Sequence, residues 1–500
     1  MISDSEEPEH RLKKSLGPWS LTALGIGAII GSGIFALTGT AAAGEHGDPS
    51  FYKVQVLDLF MHLIRGGGLH DLVNYGRPAA GPAIAISFLL VAVACVFAGL
   101  CYAELASMIP IAGSAYTYSY ATLGELLAWI IGWDLILEYA VSNVAVAVSF
   151  GGYLKAQLAD FGVNIPDRWS TPVFTPDGWS HSYFNFPAFL IVFILTVLLV
   201  RGIRESAGAN NIMVLVKIGA ILLFLVVGGM LVRPTNWHPF APSGFAGVMA
   251  GGAIIFFTYI GFDSVSTAAE ECRSPQRDLP FGIITSLIVC TILYIGVAIV
   301  LLGMMPYSTF GSGAAKDAPV IYALQQLGAN RFFQAVIIVG ALMGMISSLL
   351  VFQYGQTRIW FAMSRDGLLP KVFSALHPAF KTPHWSTWIA GFLVGIPAGI
   401  VDIGQAADLS NIGTLFAFVL VSLGVIFLRK HQPDRKRAFK VPLVPLFPII
   451  SVVLCVGLMA GLLVVTWMRF FFWLALGLVI YFFYSRKHSE FATSSAAGKG

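Results

Sequence analysis

Apolar blocks separated by short polar stretches run the length of the chain. Residues 83–103, 185–200, 218–232 and 441–468 contain no charged side chain. A bilayer core about 30 Å thick takes about 20 apolar residues of helix to cross. On that measure the pattern predicts twelve membrane-spanning helices, over residues 20–44, 83–109, 121–150, 185–201, 208–232, 245–271, 281–305, 333–362, 384–402, 408–429, 441–466 and 469–485. Composition agrees. Of 500 residues, 57% are hydrophobic and 11% charged, where a soluble domain carries about a quarter charged. The expected class is an all-α polytopic membrane protein. Residues 1–19 are charged and lack an apolar core, so no cleavable signal peptide is expected.

Charge adds an orientation. With the N-terminus inside, 20 of the 30 Lys and Arg fall in cytoplasmic segments (1–19, 201–207, 272–280, 358–383, 429–440 and 486–500). Nine fall in outer loops, counting with them Arg469 at the first position of the last span, and one, Lys217, lies within a span. The positive-inside rule then puts both termini in the cytoplasm. The net charge of +4 is what such loops produce by themselves, so no nucleic-acid partner is expected. The five cysteines avoid the outer loops, so no disulfide framework is expected. The ten histidines lack metal-ligand spacing, and no metal site is expected.

Two segments are unusually rich in glycine: LGIGAIIGSGIF (24–35) in span 1 and GGAIIFFTYIGFDSVSTAAEE (251–271) in span 6. If spans 1–5 and 6–10 form two repeats, these correspond. Paired glycine-interrupted spans point to a transporter's binding site. Unwinding a helix in lipid leaves main-chain groups without partners, each at a cost of several kcal/mol. A break therefore persists only where water or a ligand meets those groups. A half-helix that begins after a break offers N–H groups and a positive dipole end to an anion. One that ends before it offers carbonyls to a cation. A zwitterion fits both.

Two other readings of residues 25–35 compete. A dinucleotide loop needs Gly-x-Gly-x-x-Gly between a strand and a helix. Here the sixth position is Ile30 and no such unit surrounds it. Helix packing through Gly27 and Gly31 accounts for those two glycines. It does not account for Gly31-Ser32-Gly33 together with Gly261-Phe262-Asp263.

At these residues the chain resembles the amino acid–polyamine–organocation superfamily, and within it the bacterial relatives of the cationic amino acid transporters. The matching stretches are GIGAIIGSGIFALTG (25–39), YAELASMIPIAGSAYTYSY (102–120), GWDLILEY (132–139), FFTYIGFDSVSTAAEE (256–271) and GQTRIWFAMSRDGLLP (355–370). The resemblance implies twelve transmembrane helices in a LeuT-like fold. Two inverted five-helix repeats (20–232 and 245–429) would be followed by two further helices (441–485), with tails at 1–19 and 486–500. It implies a substrate carboxylate held by the main chain of Gly31, Ser32 and Gly33. The ammonium would go to carbonyls of Ile29, Phe257 and Ile260. Phe257 and Tyr259 would wall the pocket, with ordinary packing the simpler reading of Tyr259. The segment 45–82 is longer than the family pattern and contains VQVLDLFMHLI (54–64), expected as a short helix at the outer surface that partly covers the mouth.

Lys217 stands about ten residues, or about 15 Å, into its span, near the middle of the bilayer. A lysine there is costly and usually functional. The resemblance places a proton-coupling lysine at the junction of spans 1, 5 and 8. It would donate to a carbonyl near Gly25–Ala28 and to a hydroxyl such as Ser347 or Ser348. The alternative is a permanently charged structural cation. Asp263 reads equally as an N-cap and as a gating carboxylate. Glu138 and Asp134 share a face of span 3. Glu138 reads equally as a selectivity carboxylate for cationic side chains and as an interhelical hydrogen-bonding group, and Asp134 as the latter. Glu104 is expected to pair with inner groups, and Arg358 and Arg365 to anchor the inner end of span 8.

The expected function is secondary amino acid transport by alternating access, proton-coupled symport, in a bacterial inner membrane. The substrate would be an L-amino acid, small neutral or cationic. The proton is the coupling ion and no cofactor is expected. An exchanger or uncoupled facilitator is the nearest alternative, and a membrane amino acid sensor the alternative of another class. No nucleophile–base pair suggests an enzyme and no continuous polar stripe suggests a channel. The lipid bilayer is the one macroscopic partner expected, with an accessory membrane subunit left open.

Overall fold

The computed structural model describes residues 16–46, 53–68, 76–108, 114–122, 124–175, 178–202, 207–267, 272–380, 382–435, 437 and 439–489. Of the expected segments, tail residues 1–15 and 490–500 and inner-loop residues 203–206 and 268–271 lie outside these. Helices occupy every predicted span. Span 1 is α1 (Pro18–Ile29) and α2 (Gly33–Ala43), and α3 (Val56–Ile64) lies in the long loop. Next come α4 (Ile84–Met108), α5 (Ser114–Thr122), α6 (Glu125–Asp160), α7 (Phe186–Val200) and α8 (Ala207–Gly229). Span 6 is α9 (Gly244–Ile255) and α10 (Ser264–Thr267), followed by α11 (Pro275–Met304), α12 (Gly313–Asp317), α13 (Pro319–Gln326) and α14 (Arg331–Arg365). The chain continues through α15 (His384–Ile400), α16 (Ile403–His431), α17 (Leu446–Ala460) and α18 (Val464–Ile480). Two short antiparallel pairs complete it: β1 (Glu45–His46) with β2 (Gly76–Arg77), and β3 (Phe174–Thr175) with β4 (Gly178–Trp179).

Among the described residues eight helices are long and apolar enough to cross a membrane, or nine if the bent pair α1–α2 is one span. The helices α7 and α17 are apolar but shorter, at 15 residues each. Helix starts follow local chemistry. Proline stands in the first turn of α1, α7, α11 and α13, where a missing N–H loses nothing. Side chains of Asn185, Asn330 and Asp402 accept from the first amides of α7, α14 and α16.

Two differences in boundaries stand out: α6 runs past residue 150, the expected end of span 3, to Asp160, and the turn between the last two spans comes early. Apolarity runs unbroken over 441–468, so the pattern offers no stop, yet the chain turns at Gly461–Leu463 and α18 begins at Val464. Arg469, counted above with the outer loops, therefore lies inside a helix.

The long helix α6 packs against α14 and α16, while α1 packs against α11 and α8. These contacts place the middle of span 1 beside α8 and α14. Buried hydroxyls bond back to carbonyls one turn earlier, as Thr38 to Ile34 (2.9 Å) and Thr291 to Leu287 (2.6 Å). Such bonds satisfy polar groups without water. The indoles of Trp133 and Trp473 stack at 4.5 Å, and each N–H donates to the other's carbonyl. This pair fastens α18 to α6. The helix α3 is tied at its start to the α17–α18 corner, through Val56 N to Leu462 O (3.1 Å) and Val464 N to Val54 O (2.9 Å). Among the described residues these main-chain bonds anchor it to that peripheral pair.

Candidate functional site

Span 1 is interrupted where the glycine cluster predicts it. The axes of α1 and α2 differ by 50° across Ile30–Ser32. Ser32 and Gly33 head α2, so their amides have no acceptor one turn back in the helix. Ser32 is completely buried and its Oγ has no hydrogen-bond partner. Span 6 changes course more gradually. After α9 the chain tightens into a 3-10 turn at Phe256–Tyr259, extends at Ile260, and passes Gly261 at φ 117° before α10. A side chain at Gly261 would be strained there, and its Cβ would stand 2.9 Å from the Ala28 carbonyl oxygen.

The two breaks interlock. A Cβ on Gly33 would lie 2.9 Å from the Cα of Thr258. Tyr294 of α11 joins them from outside, its hydroxyl 3.0 Å from the Ile29 carbonyl and 2.9 Å from that of Thr258. Ile29 O also accepts from Gly31 N at 2.9 Å. Phe257 and Ile260 are 5% and 2% exposed. Ile29, Gly31, Ser32, Gly33, Phe257 and Ile260 thus gather at one buried place, the start of α2 lying beside the unwound stretch of span 6. Tyr259 points elsewhere: its hydroxyl donates to Phe88 O (3.0 Å), so it is packing, as the simpler reading had it.

Lys217 is fully buried, and its ammonium donates to the carbonyls of Gly27 (2.6 Å) and Ile30 (3.0 Å). Ser348 of α14 donates to the same Ile30 oxygen at 3.4 Å. The ammonium therefore sits at the carbonyl end of α1, where spans 1, 5 and 8 meet. Gly27 falls in the expected stretch of acceptors; Ile30 lies just beyond it.

Asp263 has two roles. Its carbonyl closes the first turn of α10 by accepting from Ser266 N (2.9 Å), and its carboxylate accepts from the Tyr139 hydroxyl of α6 (3.2 Å). Next to Tyr139, Glu138 is 1% exposed and its Oε1 has no partner. Asp134 is also buried, with neither oxygen bonded, against Gly413 of α16. Glu104 pairs as expected: Arg429 grips it through two bonds (2.9 and 2.8 Å), Arg437 lies 3.3 Å away and Val441 N donates at 2.7 Å. Arg358 lies over the Tyr354 ring at 4.1 Å, and Arg365 ends α14. Among the described residues no group of three His, Cys, Asp or Glu could hold a metal ion. Tyr294 and Tyr139 were not legible in the sequence. Each is one aromatic residue in an apolar helix, and only the neighbouring break gives it a partner.

The arrangement supplies unpaired amides at one helix end, carbonyls at another, and a buried ammonium beside them. The model of the family described as "Amino acid permease" matches residues 16–485. Over 482 residues the chain is 47% identical to "Branched-chain amino acid permease BcaP" of Bacillus subtilis (strain 168), covering 96% of this chain and 95% of the relative. It is 45% identical over 485 residues to the "Methylthioribose transporter" of the same organism, covering 97% and 96%. It is also 35% identical over 435 residues to "Cationic amino acid transporter 4, vacuolar" of Arabidopsis thaliana, covering 85% and 65%. All three relatives are named as permeases or transporters. The chain belongs to the amino acid permease family of the amino acid–polyamine–organocation superfamily, and is a multi-pass membrane protein.

Proposed function

We propose that this protein is a proton-coupled secondary transporter of neutral aliphatic L-amino acids, working by alternating access with both termini in the cytoplasm. The observation that carries the reading is the 50° break of span 1 with Lys217 bound to its carbonyl end. The substrate carboxylate would meet the amides of Ser32 and Gly33, and the ammonium would meet carbonyls freed in span 6. Twelve spans in two inverted five-helix repeats, with α17 and α18 added, fit the helix order, because the first member of each repeat is the one that unwinds. Likeness to a branched-chain amino acid permease over 96% of the chain supports an aliphatic substrate. Lys217 would exchange its proton as its two carbonyl partners separate during the cycle.

A second reading has one specific observation behind it. The relative named as a methylthioribose transporter is almost as similar, at 45%, and that sugar lacks a zwitterion. Counterflow of labelled leucine in liposomes, competed by each amino acid and by methylthioribose, separates the two. Aliphatic amino acids should compete and an inward proton gradient should accelerate uptake. No counterflow of leucine, with labelled methylthioribose exchanging in its place, would transfer the assignment to the sugar.

A further inference from the structure

Outside the site, one buried cation holds together elements that alternating access must separate. Arg77 lies on β2, in the long loop ahead of α4, with its side chain 1% exposed. Its Nη1 is 3.4 Å from Glu45 Oε2, and its Nη2 donates to Asp408 Oδ2. Glu45 stands one residue beyond Gly44, which caps α2, and is the main-chain partner of Arg77 across β1–β2. Asp408 lies in the second turn of α16. Burial works against the charge of Arg77, but Asp408 and Glu45 outweigh it and raise its pKa above the ordinary arginine value.

The residues around Arg77 extend the grip. A Cβ on Gly44 would be 2.6 Å from the Arg77 carbonyl oxygen, so the end of span 1 is pressed against β2. A Cβ on Gly247 would be 2.2 Å from Ala79 O, which brings the outer half of span 6 against the same segment. Ala83 N donates to Phe240 O at 2.8 Å, just ahead of α9. Residues 76–83 therefore touch the outer halves of both broken spans, and through Arg77 they reach span 10. Arg469 of α18 leans toward the same corner, 3.3 Å from Gln405 Oε1.

We propose that residues 76–83 form an outer gate whose key is Arg77: its bond to Asp408 clamps the outer half-helices α2 and α9 to α16 and must part before the site opens on that face. The proposal rests on the transport reading for its purpose, but not for its test. An ion pair made only in the closed state biases the equilibrium by the difference it makes between states. Removing Arg77 leaves the Asp408 carboxylate buried without the cation it is bonded to, and neutralising Asp408 leaves Arg77 buried with Glu45 alone; opening to water relieves either.

Ser32→Cys in the first break serves as reporter. A membrane-impermeant maleimide is added outside intact cells or right-side-out vesicles, with labelling measured against protein lacking that cysteine. Arg77→Ala and Asp408→Asn should each speed labelling at least tenfold, while Arg77→Lys and Asp408→Glu stay near the parent rate. Parent rates in the neutral variants, or equal acceleration in all four, would overturn the gate, as would any other pattern. If Arg77→Ala fails to fold, Asp408→Asn, which keeps the side-chain volume, decides alone. Labelling needs no transport. A protein that moves no amino acid yet shows this pattern would lose the functional reading and keep the gate.

Discussion

The ammonium of Lys217 and the carbonyl oxygen of Gly27 lie 2.6 Å apart, 190 residues distant in sequence. A carbonyl at the end of a helix carries the negative end of its dipole, so the α8 cation occupies the place where a broken helix attracts positive charge.

From this contact comes the first prediction. Lys217→Ala should abolish the acceleration of uptake by an inward proton gradient, while counterflow of amino acid persists. Liposomes loaded with a pH-sensitive dye would show proton entry with substrate in the parent and none in the variant. Unchanged pH dependence would refute the coupling role.

Tyr294→Phe should loosen the site without emptying it of side chains. Without the hydroxyl the Ile29 carbonyl keeps Gly31 N, but the Thr258 carbonyl loses this donor, and an unsatisfied buried acceptor costs about 1–3 kcal/mol. The expected result is a lower midpoint of thermal unfolding in detergent and a raised KM for uptake. Equal values for both proteins would show that the bridge contributes nothing.

Glycine substitutions test the interlock. Gly33→Ala drives a methyl group against the Thr258 backbone, and Gly261→Ala against the Ala28 carbonyl. Uptake should fall more than tenfold in each, with normal membrane insertion. On the lipid side of α8, Gly219→Ala meets nothing within 4 Å and should behave as the parent. Uptake by Gly33→Ala at the parent rate would contradict the packing described.

Glu104→Gln should weaken the junction of α4, α16 and the 429–441 loop. Loss of one partner of a buried ion pair costs about 3–5 kcal/mol, and the lower end applies because the Arg429 side chain is 27% exposed. Faster proteolysis within 429–441 and a lower unfolding midpoint are expected. A variant as resistant as the parent would count against it.

Much of this was legible without coordinates, for a physical reason. Lipid offers no hydrogen bonds, so a chain that crosses it must be helical and apolar for about 20 residues at a time. That constraint writes each span into local composition and makes an interruption such as Gly31-Ser32-Gly33 conspicuous. It is silent where apolarity is continuous, which is why the corner at Gly461–Leu463 went unseen. It is equally silent about a polar residue's partner: the lone Lys217 could be singled out, but Tyr294 could not.

By itself, then, the sequence determined the helical membrane class, the place where span 1 comes apart, and the one lysine stranded in a span. Only tertiary structure decided what meets what. The Arg77–Asp408 bond joins residues 331 positions apart, and Tyr294 reaches both breaks from a third helix. Periodicity and composition report on neighbours within a few turns, whereas these contacts arise when helices distant in sequence pack side by side.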